Sequence, residues 1–151
     1  MLAPQRRLGV QSARTAIPLL SLSPLQEDHR ELEWILGRRW TVHAASTMAS
    51  ATAILQQTRV SLVICERDIP PATWRDMLDA IRFMTEPPFL VVTSSHADER
   101  LWAEALNLGA YDVLAKPFDR VEVLRILGLA WFHWKELQSA DVLTGVMSAG
   151  N

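Results

Sequence analysis

Several short apolar runs in this chain end on a side chain capable of chemistry. Glu66 follows Leu62-Val-Ile-Cys65, Thr93 closes the run from Phe89, and Lys116 follows Asp112-Val-Leu-Ala115. Ser23 and Pro24 follow the run Ile17 to Leu22. A carboxylate, a hydroxyl and an ammonium act together only if the fold converges them. Cys65 lies inside an apolar run and reads as a buried strand residue, because a reactive thiolate needs an exposed, electropositive setting. His29, His43, His96 and His133 are scattered without ligand spacing, so no metal site is expected from them.

The elements that must position these groups alternate along the chain. Ile17 to Leu22 is a plausible first strand, with Pro18 near its start where a lost amide matters least. Asp28 to Leu36 places Leu32, Ile35 and Leu36 on one helical face, and Gly37 offers a stop. Trp40 to Ala44 reads as a strand, and Ser46 as the cap of a helix carrying Met48, Ala51, Ile54 and Leu55. Leu62 to Cys65 is a continuous apolar run, as expected of a strand covered on both faces. Thr73-x-x-Asp76 is a capping box ahead of Trp74, Met77, Leu78 and Ile81, spaced i, i+3, i+4, i+7. After the buried strand Phe89 to Thr93, a helix runs from about Asp98 to Leu108 and is closed by Gly109. Asp112 to Ala115 is the last strand. Asp119 then caps a final helix bearing Val123, Leu124, Ile126, Leu127, Ala130, Trp131 and Trp134.

Strict alternation of strand and helix implies a parallel sheet with helices on both faces, because parallel strands need crossover connections. The expected fold class is therefore α/β and doubly wound, with five parallel strands. Residues 17–138 form the domain. Residues 1–16, with Arg6, Arg7 and Arg14 and no acid, read as a flexible leader or as a basic arm that touches a partner. Residues 139–151 read as a small, polar, frayed tail.

Bulk properties exclude several classes. A length of 151 residues fits one domain, and 49% hydrophobic residues supply an ordinary core. The formal charge of -2 makes no case for nucleic acid or an anionic membrane surface. One cysteine cannot form an internal disulfide, which fits a reducing cytoplasm. No apolar run approaches the roughly 18 residues of a spanning helix, and no secretory signal is visible. The expectation is a cytoplasmic domain with neither nucleic acid nor membrane as partner.

The order of elements, with the segment Gly109-Ala-Tyr-Asp-Val-Leu-Ala-Lys-Pro-Phe118, resembles the receiver domain of response regulators in two-component signalling. Pro70, four residues after Glu66, matches the family's loop proline. The resemblance covers about Ile17 to Leu137. It implies a flavodoxin-like sheet of order 2-1-3-4-5 with function at the carboxyl ends of the strands. It also implies a cis peptide at Lys116–Pro117.

A working receiver resembles a small magnesium site: two acids after the first strand and an aspartate after the third hold the ion. A lysine and a hydroxyl residue then grip the phosphoryl group. In this chain the acidic pair aligns with Ser23 and Pro24, and the phosphoacceptor position with Glu66. Thr93, Lys116 and Pro117 are retained, and the position of the rotating aromatic switch aligns with Val113. Glu27 and Asp28 either reach back toward a metal or complement the dipole of the first helix. Glu66 either forms a fixed structural pair with Lys116, mimics the phosphorylated state, or is itself phosphorylated. A shifted register with Asp68 as acceptor is a further alternative. No catalysis, cofactor or metal is expected.

Function should then lie in binding. Six tryptophans is a high count, and Trp34, Trp74 and Trp102 are expected to be core or half-buried. A partner or self-association face is expected around Trp102, Leu106, Leu127, Trp131 and Trp134, on the fourth helix, fifth strand and fifth helix. Trp131 and Trp134 alternatively fold over the domain's own end. The leading expectation is a stand-alone pseudo-receiver acting as a phosphorylation-independent protein-interaction module. The competing ones are a conventional phospho-accepting, magnesium-dependent receiver and a flavodoxin-type ligand binder. The last is disfavoured because Leu22-Ser-Pro-Leu-Gln-Glu27 lacks a phosphate cradle.

Overall fold

In a computed structural model the chain is described over residues 16–149, with side chains described through residue 140. Among the described residues there are seven strands: β1 (Ile17–Leu22), β2 (Trp40–Ala45), β3 (Leu62–Glu66), β4 (Asp68–Ile69), β5 (Ala72–Thr73), β6 (Phe89–Ser94) and β7 (Asp112–Ala115). Five α-helices separate or follow them: α1 (Gln26–Leu36), α2 (Met48–Gln57), α3 (Trp74–Arg82), α4 (Glu99–Leu108) and α5 (Arg120–Ala149). The main sheet is parallel in the order β2-β1-β3-β6-β7, the flavodoxin-like order expected once the two short strands are set aside.

Alternation along the buried strands divides the core between the two faces. Leu20, Leu22, Val63, Cys65, Leu90, Val92 and Val113 pack with Ala51 of α2, the stripe Trp74, Met77, Leu78 and Ile81 of α3, and Leu101 and Ala105 of α4. Ile17, Leu19, Leu62, Ile64, Val91 and Leu114 pack with Leu32, Ile35 and Leu36 of α1 and with Val123, Ile126, Leu127 and Ala130 of α5. Both faces are covered, which is why the central strands are continuous apolar runs.

Local signals fixed most boundaries. Thr73 and Asp76 form the capping box of α3. Asp98 caps α4 through Leu101 N–H at 2.9 Å, and Gly109 ends that helix at φ 111°, in the left-handed region open to glycine. Asp119 accepts from Val121 N–H at 3.0 Å at the start of α5. Lys116–Pro117 is cis, as is Pro70–Pro71.

Four features differ from expectation. The cap of α2 is Thr47 rather than Ser46, because Ser50 three residues on completes a reciprocal box with Thr47. Asp68–Ile69 and Ala72–Thr73 pair as a two-stranded antiparallel hairpin around the two prolines, which no run of hydrophobic residues signalled. Trp34 is 77% exposed on α1, since Leu32, Ile35 and Leu36 already fill the sheet-facing side. Finally, α5 continues past Ser139 to Ala149, where fraying was expected. The expected leader lies outside the described residues except for Ala16.

Candidate functional site

Strand parity brings the candidate site together. On the face that packs α1 and α5, Leu19 is followed two residues on by Ser21 and then Ser23. In the same way Ile64 is followed by Glu66, Val91 by Thr93 and Leu114 by Lys116. The apolar face thus ends in a polar rim at the carboxyl ends of four strands. Register does the rest: Glu66 is aligned with Thr93, and Lys116 N–H bonds to the Ser94 carbonyl at 2.9 Å.

Lys116 Nζ lies 2.8 Å from Glu66 Oε2 and 2.9 Å from Asp28 Oδ2. Thr93 Oγ1 donates to the same Glu66 oxygen at 2.7 Å. Ser23 Oγ donates to Asp28 Oδ2 at 2.6 Å and accepts from Leu25 N–H at 3.1 Å. A single run of charge-assisted hydrogen bonds therefore joins β6, β3, the end of β7, α1 and the β1–α1 loop. Burial alone would lower the Lys116 pKa. The hydrogen bonds to Glu66 and Asp28, and then their charges, outweigh it and raise the pKa.

His29 holds the loop from below. It is buried, its Nε2 is 3.1 Å from the Ser23 carbonyl and its Nδ1 is 2.8 Å from Ser21 Oγ. A carbonyl only accepts, so Nε2 donates, and in the neutral ring Nδ1 accepts from Ser21. His29 is the participant that sequence reading did not place here, and Asp28 was considered only as reaching back toward a metal or complementing the helix dipole, not as a partner of Lys116. Asp28 sits in the first turn of α1, as expected, but its side chain turns to Lys116. The usable signal was burial: Asp28 and His29 directly precede the buried stripe of an amphipathic helix whose N-terminus faces the strand ends.

Other expected residues fall elsewhere. Asp68 lies on the hairpin, 67% exposed, with Arg67 as its ionic neighbour at 3.9 Å. Val113 is buried in the opposite core cluster, and its carbonyl accepts from Trp102 Nε1 at 3.4 Å. Cys65 is also buried there. Its pKa is pushed far up by burial and then by the charge of Glu66, the reverse of a reactive thiol. Among the described residues no cluster of three or more His, Cys, Asp or Glu side chains is arranged to hold a metal ion.

The expected partner face is partly dissolved. Leu127 is fully buried and Trp134 is 7% exposed, its Nε1 donating to the Pro87 carbonyl at 3.0 Å, so both are core residues. Their helix turns them onto the sheet and the chain before β6. Trp131 is half-buried with Lys135 Nζ 3.6 Å from its ring centre. Trp102 and Leu106 remain exposed on α4, at 47% and 44%.

A parallel five-stranded sheet of this order, with acid, hydroxyl and lysine at the carboxyl ends of β3, β6 and β7, defines a receiver-type signalling domain. Residues 28–127 match the family model of the response regulator receiver domain, and the chain belongs to that family. It is a receiver domain of two-component-type signal transduction, a class of module that interacts with protein partners. Among solved structures it is similar to a signal receiver domain from Vibrio parahaemolyticus, with TM-score 0.76 and 16% identity over 83% of this chain and 98% of that one. It is also similar to the signal receiver domain of an HD domain-containing protein from Pseudomonas fluorescens Pf-5. There the TM-score is 0.74 and the identity 25%, over 82% of this chain and 93% of that one. By sequence it is 28% identical over 104 residues to the methanogenesis regulatory protein FilR1 of Methanothrix harundinacea (strain 6Ac). The match takes in 66% of this chain but only 23% of that longer protein. Among the described residues, no helix is long and apolar enough to cross a membrane.

Proposed function

We propose that this receiver domain is a protein-interaction module set in one state without phosphorylation, its phosphate pocket permanently filled by Glu66. One observation carries the reading: Lys116 Nζ is held between Glu66 Oε2 at 2.8 Å and Asp28 Oδ2 at 2.9 Å, with Thr93 on the same Glu66 oxygen. Lysine and hydroxyl, the two groups that would grip a phosphoryl group, are already engaged by a carboxylate one methylene longer than aspartate.

The residues present do not fit the magnesium ion of the family. Magnesium requires near-octahedral oxygen ligation. The two pocket carboxylates each give an oxygen to the Lys116 ammonium, Ser23 spends its hydroxyl proton on Asp28, and Pro24 has no side-chain donor. No phosphotransfer step is assigned to the domain. Binding would use the face of α4 beside β7 and α5, where Trp102 and Leu106 are exposed and Trp131 is half-buried.

A conventional phospho-accepting, magnesium-dependent receiver is the second reading, favoured by the presence of Asp28 in the pocket beside Thr93 and Lys116. Incubation with acetyl phosphate and Mg²⁺, followed by intact-mass measurement, separates the two. The first reading gives an unmodified chain. A phosphorylated product mapping to Glu66 or Asp28 would establish the second.

A further inference from the structure

The strand parity that sends Glu66 to the face of α1 and α5 sends Arg67 to the other face, with Cys65 and the helices α3 and α4. The Arg67 backbone is fixed there by its N–H bond to the Thr93 carbonyl at 2.8 Å. A cleft of about 470 Å³ opens beside it, lined by the β4–β5 hairpin and by the first turns of α3 and α4. Two helix N-termini therefore meet at one opening, each carrying the partial positive charge of its dipole.

Trp74, the first residue of α3, lines this cleft and is only 3% exposed. Among the described residues, the indole N–H groups of Trp102 and Trp134 donate to carbonyls, whereas that of Trp74 has no partner. Nor is it sealed away, since the fully enclosed side-chain atom without a partner is Ser61 Oγ, on another part of the surface. The Trp74 N–H is thus open to the cleft. Indole nitrogen only donates, and buried donors are almost always satisfied, so the site calls for an acceptor from outside.

The charges around that donor leave cations to spare. Asp98 Oδ1 caps α4, accepting from Leu101 N–H at 2.9 Å, and Glu104 is engaged by Arg75 in an ion pair between the two helices. Asp68 approaches Arg67 only to 3.9 Å, beyond hydrogen-bond range, so the Arg67 guanidinium keeps its donors. Arg100, exposed in the first turn of α4, has no carboxylate partner among the described residues. Guanidinium forks match the oxygens of a tetrahedral anion, and such charge-assisted bonds are the strong ones.

We propose that this cleft binds a phosphomonoester, held by Arg67 and Arg100, by the Trp74 indole N–H and by the two helix N-termini. The site lies on the opposite face of the sheet from the Glu66–Lys116 pocket and does not depend on how that pocket works. Either a phosphorylated side chain of a protein partner or a small phosphate ester presents the group.

Titration of the ¹⁵N-labelled full chain with a phosphoserine tripeptide and with glycerol 3-phosphate, at constant ionic strength, tests this. A saturable shift of the Trp74 indole N–H signal is expected, with the signals of Trp34, Thr93 and Lys116 unmoved. Tighter binding of the peptide assigns the site to a protein partner, and tighter binding of glycerol 3-phosphate to a small ester. Arg100→Gln, on the surface, should weaken binding about tenfold or more, as should Trp74→Phe, which keeps a ring but loses the donor. Signal dispersion shows that each variant is folded. Absence of a saturable Trp74 shift would overturn the site. So would a folded Arg100→Gln protein of unchanged affinity, or shifts confined to Thr93 and Lys116, which would place the anion in the other pocket.

Discussion

The ammonium of Lys116 sits 2.8 Å from Oε2 of Glu66, two side chains 50 positions apart in the chain and brought together by strand parity. Their side chains are only 12% and 14% exposed, so the pair is shielded from much of the solvent screening that weakens surface ion pairs. Asp28, 10% exposed, adds a second carboxylate on the far side of the same ammonium.

Removing the cation should therefore be costly. Lys116→Met leaves two carboxylates facing each other and is expected to destabilise the fold by about 3 kcal/mol. Adding Glu66→Gln should restore part of that loss, because one of the unpaired charges disappears. Urea unfolding midpoints check both, and a neutral Lys116→Met would show that the trio contributes little.

Asp28→Asn should cost less, roughly 1–2 kcal/mol, because Lys116 keeps Glu66. Combined with Glu66→Gln, its effect should be non-additive, since both carboxylates serve one ammonium. Additive losses in a double-mutant cycle would mean that the two act separately.

Alkaline pH should destabilise the fold in two stages. Cys65 has its folded pKa pushed up, so its contribution is whole below the unfolded thiol pKa of about 8.5 and is lost as pH rises above it. The unfolded chain then releases a proton that the buried thiol keeps. Lys116 also has a raised folded pKa, so its contribution is whole below about 10.4 and is lost only above that. Stability measured between pH 8.5 and 10 should fall by up to about 1.4 kcal/mol per pH unit, and Cys65→Ala should flatten that slope.

Two tryptophans expected on one surface should separate cleanly. Trp134→Ala, at a buried site, is expected to cost about 3–5 kcal/mol. Trp102→Ala, at 47% exposure, should change stability by no more than about 0.5–1 kcal/mol while weakening self-association or partner binding. Thermal unfolding with light scattering reads both, and unchanged mass and partner binding in Trp102→Ala and Leu106→Ala would remove α4 from the binding face.

Much of this was legible from the chain alone, for identifiable reasons. The strands read clearly because burial on both faces makes them unbroken apolar runs, and Glu66, Thr93 and Lys116 read as one site because parallel strands end at the same edge. The Glu66–Lys116 pairing followed from a carboxylate too long for an aspartate's place. Asp28 was harder: an acid in a first turn satisfies the helix dipole whether or not its side chain turns inward. His29 lacked any spacing partner, because its contacts are a serine and a backbone carbonyl. Trp34 and Trp134 exchanged places because crowding on a helix does not reveal which aromatic faces the sheet. Here Leu32, Ile35 and Leu36 left no room for Trp34, whereas the Pro87 carbonyl gave the Trp134 indole a buried partner.

The central claim is that Glu66 occupies the place of a phosphoryl group and that the pocket does not take the magnesium-bound form. Titration of the ¹⁵N-labelled chain with beryllofluoride and Mg²⁺, a mimic of the phosphorylated state, tests it most directly. The expected result is no saturable change in the signals of Glu66, Thr93, Lys116 or the α4 face. Saturable shifts at those residues would contradict it and would make the domain a conventional, phosphorylation-responsive receiver.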